Sequence, residues 1–598
     1  MPAAKQRIPS SKIQDKALQQ VKTYFDHYST LLQTYRKTWS ELFRATYIFE
    51  TERRGEGKSQ IFWPMAYRET EKIATRLTPN NPKFVIGLQV PINPDAPEAD
   101  MTKNMQANQA AINYFWKLGN SQAKLRTWGK GGCVYGAMFA FVDFKRKMHK
   151  TKNIEYLEKD GEVIERIVEK DELLMEFPVF EVPDILDLYF DPRIEFIDDM
   201  PCIIRNYDQV RKSEILGQKE IYFNLDKVKN LSAQEFADTR DSYKLNKFNS
   251  EGVPNLNDTP DQSTINIKKY YGYFSETDKL EDEEMYKITV ANDSVVIGYE
   301  SINFLPVEKF VPIEVPNQGV GKGVVESIKK LQDAYNLTRN QRLENISLII
   351  NRMWKMKQGA GIDPRKLISR AGNVISLRDM DALQPLEFPD LSQSAFAEAN
   401  ALNTEIQAVN GTIDATQDSS NNGFTNLATG QKIRWNEFNT RFKSIKQNLE
   451  EALARLGQKM LMMVAERAEA NPLIKDEVTQ KFYEVAKEAF NSFSDFYSIS
   501  VLADSTSYDS IENQRDDALA KGNLGLSYQK AGVAINTTEL WKDIMGTFPG
   551  TDANKYLMPV QPQASPEQGG GPIPQNSVDQ IKTQPTPEDQ LNQSLTNV

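Results

Sequence analysis

GKGVVESIKKLQDAYNLTRNQ, from Gly321 to Gln341, is the stretch on which the reading of this chain turns. Gly319, Gly321 and Gly323 close an extended region and are expected to let the chain turn tightly. Beyond them Val324, Ile328, Leu331, Tyr335, Leu343, Ile346 and Ile349 sit largely at helical spacing, which predicts a helix over Gly319 to Ile350. Its opposite face is dense with Lys, Arg, Asn and Gln. A helix so polar outside its stripe is exposed on one side or packed against a copy of itself.

Working downstream, Asn351 to Phe388 is punctuated by Gly359, Gly361, Pro364 and Gly372 and predicts short strands and turns. A second helix is expected over about Leu391 to Val409, ending at Asn410-Gly411. Thr412 to Thr425 (TIDATQDSSNNGFT) has almost no apolar anchor and no basic residue, and should be a mobile loop. Phe438, Phe442, Ile445, Leu449, Leu453, Leu456, Met460 and Met463 then hold helical spacing up to Pro472. The methionines Met460, Met462 and Met463 read as core filler. Phe496 to Leu502 predicts a strand, Ile511 to Lys521 a helix stopped by Gly522, and Thr538 to Phe548 another helix. From about Pro559 the composition cannot bury enough surface to fold.

Working upstream, Leu18, Val21, Phe25, Tyr28, Leu32, Tyr35, Trp39, Leu42 and Phe43 predict one long helix over about Ile13 to Thr51. Further helices are expected over Tyr67 to Leu77 and Thr102 to Lys130. Val134 to Lys145 is rich in β-formers, and two short β-like runs within Glu155 to Val168 meet at Asp160-Gly161, a hairpin signal. The region Cys133 to Val315 should be mostly β, with one helix near Val210 to Gly217. It carries a polar loop at Phe248 to Ser263, an acidic turn around Thr277 to Glu284 and a closing strand at Phe310 to Val315.

At 598 residues the chain exceeds one hydrophobic core and should divide into three to five packed units. Its longest apolar runs, such as Met460 to Ala465, fall far below a membrane span, so no membrane partner is expected. The polar, basic start, Met1 to Ser11, lacks a signal peptide's apolar region, and the protein should act where it is made. Two cysteines, Cys133 and Cys202, and two histidines, His27 and His149, are too few for a disulfide framework, most zinc sites or most histidine triads. A net charge of −10 argues against coating DNA through a broad basic face.

This order of elements, with KGGCVYGAMFAFVDF (Lys130 to Phe144), VPDILDLYFDPR (Val182 to Arg193), the Gly321 to Gln341 phrase and NLATGQKIRWNEF (Asn426 to Phe438), resembles the portal, or head-to-tail connector, family of tailed bacteriophages. The resemblance covers roughly residues 12–548 and rests on element order more than on any sharp motif. It implies an α+β multidomain subunit with an α/β wing, a two-helix stem, a small β-containing clip and a helical crown, assembling into a ring that is twelve-fold in similar portals. By position, residues 1–318 correspond to the wing, 319–350 to stem helix 1, 351–390 to the clip and 391–409 to stem helix 2. Residues 410–425 would be the tunnel loop facing DNA, 426–505 the long wing helix and its return, 506–558 the crown and 559–598 a disordered tail. The short polar tail departs from relatives with a long C-terminal helical barrel.

The resemblance further implies double-stranded DNA in the channel, the terminase large subunit and a tail adaptor as clip partners, and major capsid and scaffolding proteins as neighbours. The expected place is the capsid vertex of the virion, after assembly in the host cytoplasm. In the tunnel loop, Asp414 and Asp418 are the only charges, expected to repel phosphate; Thr412, Thr416, Ser419, Ser420, Asn421 and Asn422 offer weak, exchangeable hydrogen bonds. An ordinary solvated loop is the alternative. Arg352, Lys355, Lys357, Arg365, Lys366 and Arg370 lie in the clip beside one acid, Asp363, and suit an acidic partner or exiting DNA; a solvated face is the alternative.

No catalytic residue, metal or cofactor is expected, and the chain does not read as an enzyme. Gly319-Val320-Gly321-Lys322-Gly323 lies where a phosphate loop could, but the required distal glycine is Pro316 and the required hydroxyl is Gly323. Asp184, Asp187, Asp191, Asp198 and Asp199 read as turns between strands rather than a two-metal set. Cys133 sits in a strand-like context as a buried small residue, and His149 in a basic turn. Another virion assembly protein, or an internal ejection protein, is the competing reading.

Overall fold

A computed structural model describes residues 8–49, 58–78, 80–88, 98–159, 162–216, 221–230, 242–248, 264–277, 282–351, 353–359, 363, 379–386, 393–410, 428–468, 472–475, 482–485, 490, 497–501, 518–525, 527, 540–541 and 544. The chain divides into two compact units, 1–521 and 522–598. One continuous hydrophobic cluster, from Leu32 to Val501, joins most of the first unit.

Helix α1 (Ser11–Tyr47) carries the predicted stripe, burying Val21, Tyr28, Leu32, Trp39 and Leu42. Its first half lies on one core, with Ala17, Val21 and Tyr28 packed among Tyr270, Phe274 and Ile288. Its second half, from Leu32, enters the large cluster, so a single rod of roughly 55 Å ties two cores together. Helix α2 (Met65–Leu77) follows, and β1 (Phe84–Leu88) is a strand that the sequence did not announce.

Thr102 to Lys130 is not one helix. It divides into α3 (Glu98–Leu118) and α4 (Ser121–Tyr135), because Gly119-Asn120 breaks the run with Asn120 in the left-handed region at φ 49°. Helix α4 also takes Cys133, Val134 and Tyr135 from the predicted β region, and ends at Gly136, φ 84°. Two buried indoles clamp that junction, Trp39 Nε1 donating to Tyr135 O at 3.1 Å and Trp128 Nε1 to Met138 O at 2.8 Å.

Strands β2 (Met138–Lys159) and β3 (Glu162–Glu181) turn between Lys159 and Glu162, where the hairpin signal stood, but they are far longer than the short runs expected. His149 therefore lies in a strand, opposite Glu172, and not in a turn. A five-stranded antiparallel sheet follows, in the order β4 (Leu188–Tyr189), β5 (Cys202–Arg211), β6 (Thr264–Ser275), β7 (Glu283–Ala291), β8 (Val295–Ser301). Two short helices accompany it, α5 (Lys212–Leu216) and α6 (Ser242–Phe248), where one was expected. The closing strand β9 (Val307–Phe310) ends where the predicted one began and pairs with β2 at Met138 to Phe141.

The predicted helix from Gly319 begins instead at α7 (Val324–Ile350). The small β insertion is β10 (Trp354–Met356) paired with β11 (Leu383–Pro385), and α8 (Gln393–Asn410) follows. Helix α9 (Ala428–Arg467) buries Leu449, Leu453, Leu456, Met460 and Met463 and packs against β2, β9 and a late strand. Strands β12 (Leu473–Lys475) and β13 (Phe482–Glu484) form a small pair, and β14 (Tyr497–Val501) pairs with β1 in register Phe84 to Val501. Residues 521–525 are helical, so Gly522 does not stop that helix; a Cβ there would sit 2.7 Å from Ile544 Cδ1, and the glycine serves close approach.

Candidate functional site

The foot of α7 is a crossing of bare backbone. A Cβ on Gly319 would lie 2.2 Å from Ile194 O, one on Gly321 2.2 Å from Ile313 O, and one on Gly323 2.5 Å from Val134 O. Gly136 meets the same knot, its notional Cβ 2.4 Å from Gly321 O. These glycines therefore exist for close approach, not for the tight turn the sequence suggested. Carbonyl oxygens crowd them, which is the wrong chemistry for cradling phosphate.

Charged groups brace β9, beside this foot, against α9. Glu308, 2 % exposed on β9, receives Arg455 Nε at 3.0 Å, and its second oxygen lies 3.2 Å from Lys459 Nζ. Lys459 also donates to Val307 O at 2.7 Å and reaches Asp198 at 3.0 Å. Beside it, Lys309 Nζ donates to Gly319 O at 3.0 Å and Ile194 O at 3.4 Å, and burial pushes its ammonium down to about 8.

Along α7 the buried face runs Val324, Val325, Ile328, then Gln332, Asn336 and Asn340. Three amide side chains are therefore inside. Past Asn340 no α7 residue is buried, and the apolar Ile346, Leu348 and Ile350 are exposed, Ile350 to 69 %. Met353, Trp354 and Met356 continue the exposure into β10. Seven of the eleven residues 346–356 are apolar. Ile346 and Ile349, which helical spacing places on the apolar stripe, are not buried.

The β10–β11 pair sets Lys355 opposite Gln384, and the Lys357 amide donates to Ala382 O at 3.0 Å. Lys355 is exposed, whereas Lys357 Nζ is 3.3 Å from Asp379. Asp379 caps the turn Met380–Ala382; the Asp381 amide, and then Lys357, hold its carboxyl below the usual range. Asp379 was missed because it stands outside the window of the basic cluster. Arg352, Arg365, Lys366 and Arg370 lie outside the described residues, as do Thr412, Asp414, Thr416, Asp418, Ser419, Asn421 and Asn422. The helices that flank the latter group, α8 ending at Asn410 and α9 beginning at Ala428, are both described.

Asp184, Asp187, Asp191 and Asp198 act as turn caps or ion partners. Asp184 accepts from the Leu186 amide at 3.1 Å, Asp191 binds Arg193 at 2.6 Å, and Asp187 pairs with Lys244. Among the described residues no group of three or more His, Cys, Asp or Glu is arranged to hold a metal ion. Burial raises the Cys133 and Cys202 thiols to about 12, which leaves both as poor nucleophiles. No helix among the described residues is long and apolar enough to cross a membrane.

A family model described as "Phage SU10 portal protein" matches residues 61–593. No curated protein matches the chain.

Proposed function

The chain belongs to the family of the phage SU10 portal protein, and from that premise we propose that its copies close into a ring at one capsid vertex through which double-stranded genomic DNA is packaged and later ejected. The single observation that carries this reading is the apolar run 346–356. Ile346, Leu348, Ile350, Met353, Trp354 and Met356 are all exposed in the isolated chain, spread along the end of α7 and into β10. An exposed contiguous apolar surface asks for a partner, and a neighbouring copy supplies the same surface at every position of a ring.

Within this reading, α7 and α8 are the stem pair and β10–β11 belongs to the clip, on which the terminase large subunit and then a tail adaptor dock. Lys355 offers a free-standing positive charge to such partners, while Lys357 is shared with Asp379. Residues 410–425 form the loop toward DNA, with Asp414 and Asp418 repeated around the bore as an acidic band. Repulsion of a polymer carrying one charge per about 1.7 Å would keep it from being trapped. A portal is a structural part of the virion and needs no catalytic residue.

The test is direct. Purified protein viewed by negative-stain electron microscopy should present rings with a central hole, and virus particles should contain the chain. A stable monomer at high concentration, absent from virus, would overturn the reading.

A further inference from the structure

Three amide side chains on one face of α7 hold a segment that has no strand partner among the described residues. Residues 59–64 run without regular structure into α2. Asn340 Oδ1 accepts from the Ile61 amide at 2.9 Å and from Ser59 Oγ at 2.8 Å, and its Nδ2 donates to Ile61 O at 2.9 Å. One turn earlier, Asn336 Oδ1 accepts from the Trp63 amide at 2.8 Å and its Nδ2 donates to Trp63 O at 3.5 Å. One turn earlier again, Gln332 Oε1 accepts from the Ala66 amide at 2.7 Å and its Nε2 donates to Ala45 O at 3.0 Å.

Each rung satisfies a backbone group that would otherwise be orphaned. Ala66 lies in the first turn of α2 and Ala45 in the last turn of α1, where helices leave amides and carbonyls unpaired. Asn336 and Asn340 serve both the N–H and the C=O of one residue, as a neighbouring strand would. The spacing allows it: four residues of helix rise about 6 Å, and two residues of extended chain about 6.6 Å. The three amides are 0 %, 5 % and 1 % exposed in chain order, and Arg339 adds a cation–π contact, 4.7 Å above Trp63.

We propose that Gln332, Asn336 and Asn340 form a cooperative latch that locks the axial register of α7 against residues 59–66 and the end of α1. Because the rungs repeat with the helical turn, a sliding or turning of α7 breaks all of them together, not one at a time. A displacement of α7 is thus carried to α1 and α2 until the latch opens as a whole. The consequence concerns this chain alone and goes beyond the portal reading.

Native-state hydrogen exchange of residues 58–68, read by mass spectrometry with fragment resolution, tests it. The Ile61, Trp63 and Ala66 amides should open with one common free energy in the unmodified protein. Asn336→Leu, and separately Asn340→Leu, should speed exchange at all three amides at least tenfold. Acceleration confined to the residue facing the substituted rung, or none, would overturn the latch. Should the variants not fold, three distinct opening free energies in the unmodified protein would overturn it equally. The pattern is read whatever the assembly state, so failure to form rings is a separate result.

Discussion

Glu308 and Lys459 lie 3.2 Å apart, carboxylate to ammonium, both buried between β9 and α9. Removing one partner of a buried pair leaves the other uncompensated, typically at a cost of about 3–5 kcal/mol. Lys459 retains Val307 O and Asp198, so Glu308→Ala should cost about 3 kcal/mol, the lower end of that range. A fall in the denaturant midpoint checks this; an unchanged midpoint would show that the pair contributes nothing.

Gly321→Ala should be among the most damaging single changes in the chain. Its Cβ would sit 2.2 Å from Ile313 O, a backbone atom with no rotamer to escape through. Overpacking of this kind costs about 1–3 kcal/mol or more. Gly359→Ala is the control, with open space around it and only its φ of 86° to strain the variant. Comparing soluble yield and melting temperature of the two separates crowding from backbone strain.

Lys309 predicts a pH window. Its ammonium is depressed from 10.5 to about 8, so between those values the unfolded chain holds a proton that the folded chain has released. Stability from this group therefore rises with pH across the window and is lost as pH falls toward 8. Lys309→Met does not titrate. From pH 8 to 10 the difference in unfolding free energy should move toward the unmodified protein, by at most about 1.4 kcal/mol per pH unit. Parallel pH profiles for the two proteins would contradict the assignment.

Ile350→Glu combined with Trp354→Ser should leave the folded chain intact and abolish rings. Both positions are exposed in the isolated chain, at 69 % and 44 %, where substitutions change stability by about 0.5 kcal/mol or less. Native mass spectrometry should find monomer, with the circular dichroism of a folded chain. Rings of normal size from this variant would remove residues 346–356 from the interface.

Deleting residues 412–423 should give rings that assemble yet fail to package or retain DNA. Full-length genomes in particles carrying the deletion would rule out a role for this segment in handling DNA.

The long periodic elements were legible because their burial is one-sided: the stripes of α1 and α9 emerge at the predicted positions, Val21 to Leu42 and Leu449 to Met463. The hairpin between Lys159 and Glu162 was marked by its turn residues. Where a helix ended by left-handed backbone the pattern misled, since neither Asn120 nor Gly136 interrupts an apolar run. Strands β1 and β14 were separated in difficulty: Tyr497–Val501 stood out, but Phe84–Leu88 gains its meaning only from a partner some 400 residues away. At the candidate site, Gln332, Asn336 and Asn340 are buried against their polarity. Nothing local reveals that unpaired backbone waits opposite them.

The glycine knot at the base of α7 has a mechanical meaning. Side chains cushion most helix contacts, since rotamers can absorb a shift of a few tenths of an ångström, but here main chain rests on main chain at Gly136, Gly321 and Gly323. Such a seat has almost no compliance. A thrust along the helix would be felt at once by Val134 and Ile313, so the rod behaves like a shaft in a hard bearing, anchored at one end while its apolar tip stands free.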